Sequence, residues 1–355
     1  MAQMTRREFI RRLTALGAAA AGATVLGSAA GCAPQPGPAE PPPAPLVGAT
    51  PTDPATVAPP IAAPKTAATP TLVASRAATI ATPVPAGVAY LAVARGPSPA
   101  ALVEAALGAI GGIARFVKPG QNVIIKPNIC NASHGFEYAS TTNPEVVAAL
   151  VTLCLGAGAR RVKVMDSPFS GTPEAAYRVS GIADAVQAAG GEMEVMASFK
   201  FEEVELPLGL DLRRLSIYQE ALDADVLINV PIAKHHSMAG LTLGMKNLMG
   251  LITNRPIIHA NFGQRLPDLA SLLAPDLTVI DAVRILVDHG PTGGNLDDVR
   301  LTNTVIASHD LVAADAYATS LFGLAPEQIA HIVGGAKMGL GTMDLRAVEV
   351  AELAV

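Results

Sequence analysis

The sequence predicts a single large α/β domain over residues 87–355, built on a mostly parallel β-sheet with helices on both faces. Short runs rich in Val and Ile recur along this region, and they are continuous rather than alternating, which is typical of strands covered on both faces. Helical patterns separate many of these runs, and strands that alternate with helices indicate parallel pairing through right-handed crossovers. The predicted strands are 89–94, 122–126, 161–166, 226–230, 277–281 and 304–307.

Two helices have boundaries that the sequence marks. The run 143–145 is Asn-Pro-Glu, which provides a cap, a proline at the first helical position and an acidic first turn. A helix is therefore predicted from 144 to 155. A second helix is predicted to begin near 308 or 310 and to end at 322. Glycines follow both segments, as expected where a helix ends.

The first 32 residues are typical of a twin-arginine export signal. Arg6 and Arg7 precede an apolar stretch rich in Ala and Gly, which is too poor in large side chains for a permanent membrane span. The run Ala29-Ala30-Gly31-Cys32 resembles a lipobox, with Ala where Leu is usual. Cys32 is therefore the predicted lipidation site, and ordinary signal-peptidase cleavage nearby is the alternative. We expect an extracytoplasmic protein, periplasmic or at the cell surface, anchored to the membrane through Cys32.

Residues 33–86 are predicted to be a disordered linker. Pro, Ala and Thr dominate this stretch, and such a composition buries too little apolar surface to offset the entropy lost on ordering. A random coil of this length spans roughly 40 Å, which is enough to hold a domain clear of a membrane. A stalk that carries sugars on its Thr residues is the alternative.

Charge and cysteine content exclude two classes of function. The formal net charge is -5, and no basic run follows the export signal, so nucleic acid is not expected as a partner. The chain has three cysteines, whereas an iron-sulfur cluster usually takes four. No self-contained iron-sulfur cluster is therefore expected, and the cofactor is otherwise left open, with a metal ion as one candidate.

Polar side chains follow four of the predicted strands. Because the carboxyl ends of parallel strands meet at one edge of a sheet, these side chains are expected to share a site. Polar residues after one strand alone would indicate nothing, whereas polar residues after four strands favour a common cleft. The four segments that follow these strands are Lys126-Pro127-Asn128, Asp166-Ser167-Pro168, residues 231–236 with Lys234, His235 and His236, and Asp281.

Three lysines point to an anionic ligand. Residues 87–355 contain only seven lysines, and Lys126, Lys234 and Lys246 lie among apolar neighbours. A lysine in a mostly buried cleft needs an anion or a shifted pKa, so the site is predicted to bind carboxylate or phosphate. The alternative is that these lysines form structural ion pairs with acids such as Asp166 or Asp281.

A metal site is a further hypothesis. His235 and His259, together with Asp166 or Asp281, could form a site of two histidines and one carboxylate. The spacing does not identify a metal. The alternative is that each histidine is a hydrogen-bonded structural residue.

A set of motifs in a fixed order covers nearly all of residues 87–355. The set resembles the domain of unknown function 362 (DUF362) family, some of whose members are fused to ferredoxin modules. This chain departs from those members because it lacks the cluster cysteines. The motifs are Lys126-Pro127-Asn128, Thr142-Asn143-Pro144-Glu145, Asn229-Val230-Pro231 with Lys234 and His235, Met245-Lys246-Asn247 with Gly250, His259, Asp281, Gly290-Pro291, and Ser308 with Asp310 and Asp315.

The resemblance implies an α/β fold and a set of site residues, but no reaction. The catalytic candidates are Lys126, Lys234, His235, Lys246 and Asp281. The ligand-binding candidates are Asn128, Asn143, Asn247, Gly250, Asp310 and Asp315, and the metal candidates are His235, His259 and Asp166.

Three functions fit these residues. The first is a cofactor- or metal-assisted, redox-linked enzyme that acts on an anionic small molecule. The second is a lipid-anchored binding protein for an anionic solute or a metal. The third is a scaffold subunit of a membrane redox complex, and a ferredoxin-like or membrane redox partner is expected for the first and third. Export after folding favours the enzyme.

Overall fold

The computed structural model describes residue 85 and residues 87–355. The predicted export signal, the Cys32 lipidation site and the linker lie outside the described residues. No helix in the described part of the chain combines the length and the apolar character needed to cross a membrane.

The described chain is an α/β domain built on one ten-stranded sheet and a separate two-stranded hairpin. The strands are β1 Leu91–Arg95, β2 Asn122–Pro127, β3 Arg161–Val164, β4 Glu192–Met193, β5 Phe201–Glu205, β6 Arg214–Tyr218, β7 Val226–Val230, β8 Ile232–His236, β9 Gly240–Thr242, β10 Leu277–Leu286, β11 Val299–Ser308 and β12 Val350–Ala354. The hairpin pairs β5 with β6.

The sheet is mostly parallel, as the sequence predicts. Its order is β12-β1-β11-β10-β7-β2-β3-β4, and β8 joins β10 beyond the end of β7. The strand β11 runs antiparallel to both β1 and β10, and β9 runs antiparallel to β8. The other pairings are parallel, so the carboxyl ends of β2, β3 and β7 reach the same edge.

Helices cover both faces of the sheet. The alternation of β2 shows this arrangement, because Val123 and Ile125 pack with α1, α2 and α4, whereas Ile124 packs on the other face with α8 and α9. The helices are α1 Pro99–Ala109, α2 Pro144–Gly156, α3 Pro173–Val179, α4 Ile182–Ala188, α5 Gln219–Asp223, α6 Gly244–Asn247, α7 Pro256–His259, α8 Phe262–Leu273, α9 Leu311–Thr319 and α10 Ala330–Lys337.

The two helices predicted from caps form as the local sequence requires. The Asn143 side chain accepts a hydrogen bond from the backbone N–H of Glu145 at 2.9 Å, and Pro144 begins α2. The Asp310 side chain accepts from the N–H of Ala313 at 2.9 Å and begins α9. The second helix is shorter than predicted, since its last residues form a 3-10 turn.

Candidate functional site

A pocket of about 550 Å³ opens where β2 and β3 end, and we call it the lysine pocket. Its lining combines basic side chains with a single acidic one, Asp166. Apolar side chains form much of the remaining wall. The basic lining residues are Lys126, Lys234, Lys246, Arg255, His236 and His259, and the apolar ones include Ile129, Phe169, Phe201, Met249 and Ile252.

The Lys126 ammonium is fully paired. It donates to the Asp166 carboxylate at 2.8 Å, to the Pro127 carbonyl at 2.9 Å and to the Asn247 side-chain oxygen at 3.0 Å. The two charged side chains are 1% and 3% exposed. Burial lowers the pKa of Lys126 to about 8, although the neighbouring carboxylate acts in the opposite direction. Lys126 therefore forms a structural ion pair in the pocket wall, which is the alternative that the sequence left open.

Lys234 has hydrogen bonds but no carboxylate. It lies on β8 and donates to the Asn128 side-chain oxygen at 2.9 Å and to the Ser140 carbonyl at 2.6 Å. Burial lowers its pKa. An ammonium has three donors, and the side chain of Cys130, which also lines the pocket, is the third hydrogen-bonding neighbour of Lys234.

Lys246 is the least satisfied cation of the pocket. It lies on α6 with its ammonium 5.8 Å from the centre of the Phe262 ring, and no acid in the described part of the chain forms an ion pair with it. Burial is the larger cause and repulsion from Lys234 the smaller one, and together they lower the pKa of Lys246 to about 7. A desolvated cation without a counter-charge is the feature of this pocket that calls for an anion.

His236 lines the pocket, whereas the predicted His235 does not. The Nδ1 of His236 accepts hydrogen bonds from the N–H groups of Met238 and Ala239, both at 3.1 Å. The proton of the neutral ring is therefore on Nε2. Burial, together with the charge of Lys246, lowers the pKa of His236 to about 3, so the ring stays neutral at physiological pH.

His235 contacts a different loop. Its Nδ1 accepts from the backbone N–H of Gly290 at 3.1 Å and lies 4.0 Å from the carboxylate of Asp288. The predicted catalytic role of His235 in the lysine cleft does not fit this position. Successive side chains of a strand point to opposite faces, so Lys234 and His236 share a side of β8 and His235 does not.

The predicted metal triad is not assembled. Asp166 and His259 both line the lysine pocket, but His235 lies outside it. Within the described residues, no group of three His, Cys, Asp or Glu side chains is placed to hold a metal ion. The combination of His235, His259 and Asp166 as ligands of one ion is therefore wrong.

Asp281 and Asn143, predicted for catalysis and ligand binding, do not line the pocket. The Asp281 carboxylate accepts from the backbone N–H of Asn143 at 2.7 Å and from that of Val283 at 3.0 Å. Burial raises the pKa of Asp281 to about 6. These two residues join the start of α2 to β10, and the structure does not bring them to the lysine pocket.

Asp310 and Asp315 are also outside the pocket lining. Asp315 is buried and accepts from the N–H groups of Gly244 and Met245, at 2.6 and 3.0 Å. Burial raises its pKa to about 7. Asp310 caps α9 and accepts from the Tyr90 hydroxyl at 2.5 Å. Asp315 thus fixes the turn that carries Lys246, and Asp310 fixes a helix end.

The remaining predicted ligand residues, Asn128, Asn247 and Gly250, do line the pocket. Asn247 donates to the side-chain oxygen of Asn229 at 2.8 Å and accepts from Asn128 at 3.1 Å. A Cβ on Gly250 would lie 1.9 Å from a carboxylate oxygen of Asp166. Glycine at 250 is therefore required by the buried ion pair.

Sequence reasoning missed several lining residues, and three of them carry polar or exposed groups that matter for the site. Thr242 of β9 is opposite Lys234, and its buried hydroxyl has no hydrogen-bond partner in the described structure. Arg255 donates to the carbonyls of Ser167 and Pro168. Phe169 is 66% exposed at the rim. The alternation of β8 could have revealed His236, but the sequence has no comparable signal for these three.

The comparisons with known proteins agree with the motif set. The model of the family described as Domain of unknown function (DUF362) matches residues 123–320, more than half of the chain. The chain belongs to the DUF362 family. It is similar to the thylakoid-associated protein sll1697 of Synechocystis sp., with 31% identity over 256 residues that cover 68% of this chain and 75% of that protein.

A solved structure is also similar to this chain, but distantly. The lactate racemase apoprotein from Thermoanaerobacterium thermosaccharolyticum aligns with a TM-score of 0.42 and 13% identity. The alignment covers 70% of this chain and 58% of that protein.

Proposed function

We propose that this DUF362 protein is an exported, membrane-tethered enzyme that binds an anionic small molecule in the lysine pocket and transfers a proton to or from it. The single observation that carries the proposal is the Lys246 ammonium, which lies in the pocket without a carboxylate partner among the described residues.

The charge balance of the pocket supports an anionic ligand. Lys126 is balanced by Asp166, but Lys234, Lys246 and Arg255 have no acidic partner in the lining. Buried or half-buried cations are costly until an opposite charge or a lost proton compensates them. A carboxylate or a phosphate would supply that charge, and Lys234 and Lys246 would donate to its oxygens.

The pKa of Lys246 supports proton transfer. Because burial and the neighbouring cations bring it to about 7, both protonation states are populated at neutral pH. A general acid or base works best when its pKa lies near the operating pH. His236 is held neutral with its proton on Nε2, so it would act as a hydrogen-bond donor to the same ligand.

A binding protein for an anionic solute is the second candidate, because Lys234 and Lys246 would hold an anion equally well without turnover. The two functions differ in the fate of the ligand. An enzyme changes the bound molecule or exchanges its hydrogens with solvent, whereas a binding protein releases it unchanged.

Membrane attachment is part of the proposal because the similar protein from Synechocystis sp. is thylakoid-associated. No described helix is long and apolar enough to cross a membrane, and the lipid anchor at Cys32 is the proposed means of attachment. The redox link expected from the family resemblance would require a separate partner that carries the clusters, since this chain has only three cysteines.

The test is the substitution Lys246→Met, which removes the charge and keeps most of the aliphatic length. Sulfate is a suitable probe because its charge is constant from about pH 6 to about pH 9. We expect sulfate affinity, measured by titration calorimetry, to fall about tenfold or more, since a charged hydrogen bond contributes about 1.5–3 kcal/mol. The exposed Lys337→Met is the matched control and should leave binding unchanged.

The pH profile gives a second readout. An anion binds the ammonium form of Lys246, so the sulfate affinity of the wild-type protein should fall as the pH rises through about 7. The Lys246→Met variant should lack this fall. Wild-type affinity in the Lys246→Met variant, or an identical pH profile in both proteins, would contradict the proposal.

A further inference from the structure

We infer that the anion taken by the lysine pocket is amphiphilic, with a carboxylate or phosphate head joined to an apolar chain. This inference rests on the proposed function and names the substrate class of the same site. Its basis is that the pocket combines buried polar groups around Lys234 with an apolar wall that ends at the exposed ring of Phe169.

The buried wall of the pocket offers polar groups to an anionic head. Lys234 and Thr242 are 1% and 3% exposed and lie opposite each other on β8 and β9. The hydroxyl of Thr242 has no hydrogen-bond partner in the described structure. A buried hydroxyl without a partner is costly, and an anionic oxygen beside Lys234 and Lys246 would satisfy it.

The rim of the pocket has the opposite character. Phe169 is 66% exposed although it lines the pocket, and behind it the half-buried Phe201 and the buried Met249 and Ile252 continue the apolar wall. A phenylalanine is usually buried, so an exposed ring that is continuous with an apolar wall marks a surface that a ligand can cover. The head would thus bind in the interior and the chain would lie along the rim.

The rim is held in place before any ligand binds. The N–H of Phe169 donates to the Cys130 carbonyl at 2.7 Å. Arg255 donates to the carbonyls of Ser167 and Pro168, at 2.5 and 3.3 Å. Because three hydrogen bonds fix this loop, the exposed position of the Phe169 ring is built into the backbone and would need little reorganisation on binding.

The size of the pocket fits a head with a chain better than a bare anion. Its volume of about 550 Å³ lies within the range of about 300–1,000 Å³ that is usual for pockets of organic ligands. A sulfate or an acetate would fill a small part of this space and would leave the apolar wall in contact with water.

The test compares ligands that share a head and differ in the chain. Titration calorimetry on the full chain would compare acetate with hexanoate, and methyl phosphate with hexyl phosphate. Since each buried methylene contributes about 0.8 kcal/mol, partial burial of the chain should tighten binding about tenfold or more. The variant Phe169→Ser should lose most of this gain.

The matched control is Phe199→Ser, because Phe199 is 84% exposed and does not line the pocket. It should preserve the gain from the chain. If the longer ligands bind no tighter than the short ones, or if both serine variants behave alike, the inference is overturned while the proposed function stands. If none of the four ligands binds, both are overturned.

A further arm distinguishes a membrane source of the ligand from a free one. Sedimentation with phosphatidic acid vesicles, against phosphatidylcholine vesicles as reference, would be measured for the wild type and for Phe169→Ser. If phosphatidic acid vesicles retain the wild-type protein and Phe169→Ser reduces this retention, the result supports the inference with a lipid as the ligand. If hexyl phosphate binds tightly without such retention, the result supports it with a free amphiphile.

Discussion

Replacing Asp166 with Asn removes the charge that balances Lys126 and keeps the size of the side chain. The pair is separated by 2.8 Å, with side chains only 1% and 3% exposed. The carboxylate also accepts from the N–H of Ile129 at 2.6 Å and from that of Ser167 at 2.8 Å. Asn offers one acceptor oxygen, so one of these buried N–H groups loses its partner at a cost of about 1–3 kcal/mol.

The lost charge adds a cost that depends on pH. In the wild type the pKa of Lys126 is about 8, so the folded protein keeps the ammonium below that pH. Without Asp166 the pKa of Lys126 falls further. On folding, Lys126 must then release a proton that it retains in the unfolded chain. This cost is on the order of 1 kcal/mol at pH 7, grows by a similar amount for each pH unit below that, and disappears above about pH 8.

Urea denaturation at about pH 6, 7 and 9 measures these terms. Asp166→Asn should lower the free energy of unfolding by about 2–4 kcal/mol at pH 7 and by less at pH 9. The double variant with Lys126→Met should be less affected at low pH. As a control, Glu192→Gln breaks an exposed pair with Arg161 and should cost less than about 1 kcal/mol. If Asp166→Asn lowers the free energy of unfolding by the same amount at pH 6 and at pH 9, the reasoning is refuted.

Two further predictions concern packing and export. Gly250→Ala should lower the free energy of unfolding by about 1–3 kcal/mol, because its Cβ would lie 1.9 Å from Asp166; Gly108→Ala, whose Cβ meets nothing within 4 Å, should not. Chemical denaturation of both variants checks this, and equal stability would contradict it. Arg6→Lys with Arg7→Lys should leave precursor in the cytoplasm on cell fractionation, and normal export would exclude the twin-arginine route.

Much of the fold was predictable because the central strands are covered on both faces. The run 226–230 is a strand over the predicted residues, and β2 exceeds its prediction by one residue. The strands β10 and β11 are each ten residues long, and only the first half of β10 and the buried second half of β11 were predicted. Their other halves pair antiparallel, and the first half of β11 is partly exposed, so it lacks the continuous apolar pattern that predicts a covered strand.

The site was predictable only where a strand ends. Lys126 lies near the end of β2 and Asp166 follows β3, and parallel pairing brings them together. Lys234 and His236 lie on β8, a strand that the sequence analysis did not recognise, so the choice between neighbouring histidines had no geometric basis. Thr242 reaches the pocket only through the pairing of β8 with β9, which depends on tertiary structure.

The family motifs that lie outside the pocket have a role in positioning Lys246. The turn α6 is four residues long and is too short to hold its own conformation. Asp315 accepts from its first two N–H groups, and Asn229 donates to the Gly244 carbonyl at 2.9 Å. Asn229 also accepts from Asn247, which in turn binds Lys126. Loss of Asp315 would therefore remove binding by misplacing Lys246, so only a substitution at Lys246 itself can separate a role in binding from a role in folding.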